Sequence, residues 1–203
     1  EQRLEHTGNW ERIIIMNFKV LSVAALLVGS VCFSVGSVAE KMPESPKQKE
    51  HRIEANLTSL FKDAIKAAAV ELDQDHTMAP FAIVMKKDGT FGYLSIGGKN
   101  KSTSVNEQVA SIRALLIDMA STQQIDATVQ VLYANVSSKE ADSRSQGLVF
   151  EIEHREGVSI MRFLPVSEMT DEKGIKNGDL LFEMEKLSTG SKPQTVFAAS
   201  IVQ

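Results

Sequence analysis

Apolar and polar positions alternate along the chain with two different periods. Ile53, Leu57, Leu60, Ala64, Ala68 and Leu72 recur at steps of three and four, with Lys62, Asp63, Lys66 and Glu71 elsewhere on the wheel. That spacing predicts an amphipathic helix whose apolar stripe needs a sheet to cover it. From Phe81 to Met85 and from Thr90 to Ile96 two strands are expected, joined through Lys86-Lys87-Asp88-Gly89, where Asp-Gly is a hairpin signal. After the polar loop Gly97 to Lys101, Ser104 with Glu107 three residues later forms a capping-box pattern. Val109, Ile112, Leu116 and Met119, widened by Leu115, mark the stripe of a second helix ending near Ser121 to Gln124.

Downstream the period falls to two. Ile125, Ala127, Val129, Val131 and Tyr133 alternate with Asp126, Thr128 and Gln130, the pattern of a half-buried strand. Ser137 to Gln146 reads as a loop. Leu148 to His154 and Val158 to Leu164 are expected to pair about the turn Arg155-Glu156-Gly157. Ser167 to Asn177 reads as another loop, Leu180 to Met184 as a sixth strand and Thr195 to Ala198 as a short terminal strand. Hairpins imply antiparallel pairing. The fold expected is therefore α+β: an antiparallel sheet of about five to six strands with two helices packed on it, after a signal peptide.

That order of elements resembles the roadblock and profilin folds, and a resemblance of order alone carries no functional residue. A second resemblance is to a group of uncharacterised bacterial proteins in which a helix precedes a Pro-Phe-x-x-Val hairpin, here Pro80-Phe81-Ala82-Ile83-Val84 with Asp88-Gly89. The same group has a helix like Arg113-Ala114-Leu115-Leu116, an acidic strand like Glu151-Ile152-Glu153-His154 and a Phe-Leu-Pro segment, here Phe163-Leu164-Pro165. The likeness runs from about Leu57 to Phe197 and implies a fold, with no site attached.

The N-terminal region follows a different logic. No residue between Lys19 and Glu40 is charged, and Val20 to Val28 is almost wholly aliphatic, as the hydrophobic region of a secretion signal requires. Small and polar residues follow, ending in Ser37-Val38-Ala39, so residues 16–39 are expected to be a signal peptide cleaved after Ala39. Uncleaved, residues 20–39 are just long enough to anchor the chain in a membrane. Cys32 raises lipidation, but Gly29-Ser30-Val31 lacks the aliphatic and small residues that should precede such a cysteine. Residues 1–15 read as untranslated leader, because Met16-Asn17-Phe18-Lys19 is a natural signal-peptide start and Trp10-Glu11 back-translates to a purine-rich, ribosome-binding type of stretch. Residues 40–50, with Pro43 and Pro46, are expected to be a linker, leaving 51–203 as a single α+β domain.

Composition and charge narrow the function. The chain has 203 residues and a net charge of −4, and its first 39 residues hold three basic and three acidic groups, so the remainder carries that whole charge. Without a cluster of Lys and Arg to neutralise phosphates, nucleic acid is not an expected partner. The single cysteine, Cys32, lies in the signal, so the exported product must hold together without disulfides.

Candidate chemistry is sparse. Asp73, Asp75 and His76 fall between the first helix and the first strand, and an Asp/Asp/His set can bind a divalent metal or move a proton. Neighbours so close rarely converge on one ion without distant ligands, which makes a polar helix end the simpler expectation. Glu151, Glu153, His154 and Glu156 form a second cluster. Strand alternation puts the first two carboxylates on one face and His154 on the other, where the simpler reading is a solvated hairpin face paired with Arg155 or Arg162. Gly97-Gly98-Lys99 is not a phosphate loop, since Tyr93 and Asn100 occupy the positions that need Gly and Ser or Thr. No Gly-x-Ser-x-Gly, His-Glu-x-x-His or Cys-x-x-Cys motif occurs. Asn56-Leu57-Thr58 and Asn135-Val136-Ser137 match a glycosylation pattern by chance.

The function expected is that of an exported, periplasmic or secreted, non-enzymatic binding module for a protein or small ligand, needing no cofactor and touching a membrane only through an uncleaved signal. The alternative is a hydrolase or metal-dependent enzyme built on Asp73, Asp75, His76 and His154, which those residues support only by meeting in one cleft. An envelope structural protein is a third reading, marked by an exposed apolar patch.

Overall fold

A computed structural model describes residues 44–72, 77–96, 103–137, 144–170 and 176–199. The first helix, α1, runs Pro46–Glu71. It begins inside the stretch expected as linker, for a local reason. Proline at the first helical position has the right φ and no N–H to leave unpaired. Ser45 caps the helix, accepting from the Gln48 N–H at 3.3 Å, while Gln48 Oε1 accepts from the Ser45 N–H at 2.9 Å. The stripe read from the sequence is the buried one: Ile53, Leu57, Leu60, Ala64 and Ala68, joined by Phe61.

The hairpin of β1 (Phe81–Lys86) and β2 (Phe91–Ser95) turns at Asp88-Gly89. Gly89 takes φ +80, where a side chain is strained, and the Asp88 carboxylate accepts from both N–H and hydroxyl of Thr90. Helix α2 (Val105–Ser121) opens with the expected Ser104–Glu107 box. It closes with a Schellman turn in which Gln124 N–H donates to Met119 O and Gln123 N–H to Ala120 O, and Gln123 takes the left-handed φ usually given to glycine.

Three long strands follow: β3 (Ile125–Ser137), β4 (Arg144–His154) and β5 (Val158–Thr170). All outrun the apolar runs that mark them in the sequence: Arg144 to Gln146, expected as the end of a loop, and Ser167 to Thr170, expected as the start of the next, are strand. β6 is Lys176–Phe182 and β7 is Ser188–Ser191, with one 3₁₀ turn, Met184–Lys186, between them. The segment expected as a terminal strand is instead a short helix, α3 (Val196–Ala199). Its first amides are captured by a carboxylate, as described below, which a strand ladder would not permit.

The seven strands make one antiparallel sheet in the order β2-β1-β3-β4-β5-β6, with β7 pairing the lower part of the same β5 edge. The expected α+β class with an antiparallel sheet is what forms. Helix α1 covers one face, packing on β1, β3 and β4, while α2 and α3 lie on the other. The α1 side holds the larger core, where Leu60, Phe81, Val129, Phe150, Ile152 and Leu164 are all sealed from solvent. Phe61 meets Phe150 edge-on at 4.9 Å. Burying each such side chain contributes roughly 1.5–3 kcal/mol, so this layer is the main source of stability. Ala82, Val84, Leu94, Ile112, Leu116, Ile125 and Phe197 form the smaller core under α2 and α3.

Two-sided cover changes the meaning of the alternation in β3. Thr128 and Gln130, the polar half of the pattern, are buried at 1% and 3% exposure. Each is satisfied locally, Thr128 Oγ1 donating to Ile83 O and Gln130 Nε2 to Val109 O. They face α2 rather than water.

Candidate functional site

The acidic strand β4 is the place to look for chemistry, because it carries Glu151, Glu153 and His154 through the middle of the molecule. Alternation separates them as expected: both glutamates face α2 and α3, and His154 faces α1. The rest of the expectation needs correcting. Glu153 is only 1% exposed, so this is no solvated hairpin face. Neither Arg155 nor Arg162 is the partner.

Glu153 is instead a helix cap supplied from a strand. One carboxylate oxygen accepts from the N–H of Thr195 at 2.9 Å and its hydroxyl at 2.8 Å, and the other from the N–H of Val196 at 2.9 Å and of Phe197 at 3.4 Å. Those are the orphan donors at the start of α3, where a negative charge is favoured. Burial alone would push the carboxyl up, but the bonds from Thr195 and Val196 and the charge of Lys192 outweigh it and hold it below the ordinary value. Lys192 Nζ lies 3.2 Å from Glu153 and 2.7 Å from Glu151. Glu151 also accepts from Arg113 Nη2 of α2 at 2.8 Å. The four charges tie α2, β4 and the C-terminal segment together.

On the opposite face His154 is sealed at 1% exposure. Its Nδ1 accepts from the Glu156 N–H at 3.1 Å, which places the proton of the neutral ring on Nε2, 3.4 Å from the Asn56 side-chain amide. Burial, then the nearby Arg52 charge, hold the imidazole below its usual value. Glu156 is taken up by Lys49 at 2.7 Å and Arg52 at 3.7 Å, which pins the start of α1 to the β4–β5 turn. Arg155 donates to Ile125 O and Ala120 O, pairs with Asp126 at 3.4 Å and lies 5.4 Å over the Phe197 ring.

Glu151, Glu153, His154, Arg155 and Glu156 are each therefore held by a partner within the chain. Glu153 has both oxygens taken up by Lys192, the Thr195 hydroxyl and the amides of Thr195 to Phe197, while Glu151 holds Lys192 and Arg113 through one oxygen, so both carboxylates serve as ion-pair and capping groups. His154 lies across the sheet from them. Asp73, Asp75 and His76 lie outside the described residues. Among the described residues no three His, Cys, Asp or Glu side chains group so as to hold a metal ion.

Beyond this charged cluster the same side of the sheet is open. Leu132, Val149 and Phe163 sit side by side on β3, β4 and β5, each partly exposed. Around them Val136, Met161, Met169 and Leu181 are 37%, 41%, 43% and 45% exposed. Pairing places them on one face, since Leu181 opposes Ser167 and Met161 opposes Glu151. Gly147 lets the face close up: a Cβ there would press on the Leu164 carbonyl and lie 2.9 Å from the Phe163 ring. Among the described elements no helix packs across β5 or β6 on this side. No clue in the sequence marks Arg113 and Lys192 as the partners of the acidic strand, because the pairs join residues about forty positions apart.

No protein-family model matches the chain, and neither a characterised protein nor a solved structure matches it significantly.

Proposed function

We propose that this chain is an exported binding module that engages a protein partner through the open apolar face of β3 to β6, and that it performs no chemistry of its own. The observation that carries the reading is the contrast between two halves of one sheet face. In the lower half every charge is spent on holding α2, β4 and α3 together. In the upper half Leu132, Val149, Phe163, Met169 and Leu181 form an apolar strip, and no described α-helix packs across β5 or β6 there. Methionine suits such a surface because its flexible thioether adapts to a partner's contour.

Export rests on the uncharged run from Val20 and the small-residue site at Ala39. The fold is in keeping with it, because α1 carries its own cap at Ser45, downstream of that site. Among the described residues no helix is long and apolar enough to cross a membrane.

The test is recovery of the tagged protein from the exported fraction, with quantitative comparison of what stays bound. Leu181→Lys with Met169→Lys should strip the bound protein, whereas Val70→Lys should not, because Val70 is 85% exposed on α1 and away from this face. Equal retention by both variants would sink the reading. So would a pure protein with no partner in every case.

A further inference from the structure

Arg162 stands apart from Arg52, Arg113 and Arg155. Arg52, Arg113 and Arg155 each meet a carboxylate of Glu44, Glu151 or Asp126. Arg162 has no hydrogen bond and no acidic partner among the described residues, and its Nε is shut away from solvent with nothing to donate to. Its contact is a ring: the guanidinium carbon lies 4.3 Å from the Phe61 centroid, on the α1 side of β5. Phe61 is itself fixed edge-on against Phe150, so the guanidinium rests on a rigid platform. Burial pulls its pKa down with no neighbouring charge to restore it.

An unpaired guanidinium held partly out of water is costly to the fold. A ring face returns only part of what water and a carboxylate would supply. Only Nε is shut away; the two terminal nitrogens reach solvent and are open to a ligand. Here the neighbours are of another kind. Thr189 lies directly opposite Arg162 on β7, and Ser191 opposite Ile160, so both share its face of the sheet. Both are exposed. The cluster is a fixed cation with two hydroxyl-bearing residues beside it and, among the described residues, no anion, at an open strip of the sheet margin.

We infer that Arg162, on its Phe61 platform and beside Thr189 and Ser191, is a binding site for an oxyanion, the carboxylate or phosphate group of a small ligand. The guanidinium supplies charge and planar donors that match two oxygens at once. The hydroxyls add neutral donors. This site lies on the α1 side, across the sheet from the open apolar face, so it does not rest on the partner proposed there.

Two measurements on the purified protein test it. In the first, sodium phosphate and sodium acetate are titrated at constant ionic strength against sodium chloride while the Arg162 side-chain N–H and the Thr189 amide are followed by NMR. A saturable shift at both positions is expected, weakened more than tenfold in Arg162→Lys and abolished in Arg162→Met. Response to phosphate alone would identify a phosphate group, and response to both a site that accepts carboxylates. The second is thermal unfolding. Methionine keeps the stem against Phe61 without the charge, so Arg162→Met should unfold at the same temperature as the parent or higher. Phosphate should raise the midpoint of the parent but not of the variant. No saturable shift, the same shift in Arg162→Met, or a lower melting point for that variant would each overturn the site; the last would make Arg162 a packing residue of the fold.

Discussion

Glu153→Gln is the most informative single change, because it keeps the shape of the side chain and removes only its charge and one acceptor. In the parent, four donors from Thr195, Val196 and Phe197 converge on the two oxygens within 3.4 Å, and Lys192 sits at 3.2 Å. Hydrogen bonds to a charged group are worth about 1.5–3 kcal/mol each, and loss of a helix cap about 0.5–2 kcal/mol. The bonds form one network and do not add. Glutamine keeps one oxygen for part of the set and turns an NH₂ toward the rest, while Lys192 retains Glu151. A loss of about 3 kcal/mol is expected, equal to a fall of roughly 6–12 °C in melting temperature for a domain of this size. Urea unfolding at neutral pH measures it, and hydrogen exchange locates it: protection should fall first at the Thr195 to Phe197 amides. The pH dependence gives an independent reading. A carboxyl held below its ordinary value stabilises the fold fully above the unfolded value of 4.5 and loses that contribution as pH falls through the folded value. The parent's margin over Glu153→Gln should therefore shrink as pH drops below about 4.5. Stability unchanged within a few tenths of a kcal/mol, or a margin that does not depend on pH, would show that the carboxylate does not hold the C-terminal segment.

Gly147→Ala should destabilise by about 3 kcal/mol in urea unfolding, because the new methyl meets the Leu164 backbone carbonyl, which cannot swing away, and the Phe163 ring; a loss below about 1 kcal/mol would mean the strands part easily there. His154 is held neutral, so the unfolded chain takes up its proton first on acidification: stability should decline as pH falls below the free value of 6.5, and in His154→Gln that component should vanish. Parallel pH profiles for parent and His154→Gln between neutrality and pH 5 would refute the assignment.

Periodicity made most of the fold legible. The α1 stripe, the Ser104–Glu107 cap and the Asp88-Gly89 turn are local patterns, and each forms where its residues place it. Failures occur where a distant residue decides. Thr195 to Ala198 has no helix-like length of its own, and the segment turns helical because Glu153, more than forty positions earlier, supplies its cap. Glu151 and Glu153 look like a solvated pair until Lys192 and Arg113 arrive from other elements. Pro46, read as lying within a linker, is a helix start for reasons visible only beside Ser45 and Gln48. Of the candidate site, the alternation of the acidic strand was readable. That no described carboxylate lies beside Arg162 was not, since a sequence shows which charges exist and not which of them meet.

The open face has a geometric origin that bears on whether it is used. Helix α1 has 26 residues and is about 39 Å long, close to the roughly 43 Å of the 13-residue strand β3 on which it packs. With 17 residues, α2 reaches only about 26 Å. Strands that long leave roughly 17 Å of sheet uncovered on the α2 side. Such an overhang is harmless if its outward positions are polar, as Ser145 and Ser167 are. At Leu132, Val149 and Phe163 they are instead apolar, in three adjacent strands, and Gly147 leaves the room that the Phe163 ring occupies. A smooth apolar shelf beside a charged cluster already satisfied within the chain favours a partner that supplies apolar contact and little charge. That is why lysines at Met169 and Leu181, rather than changes at Glu151, are the substitutions that should break the proposed complex without breaking the fold.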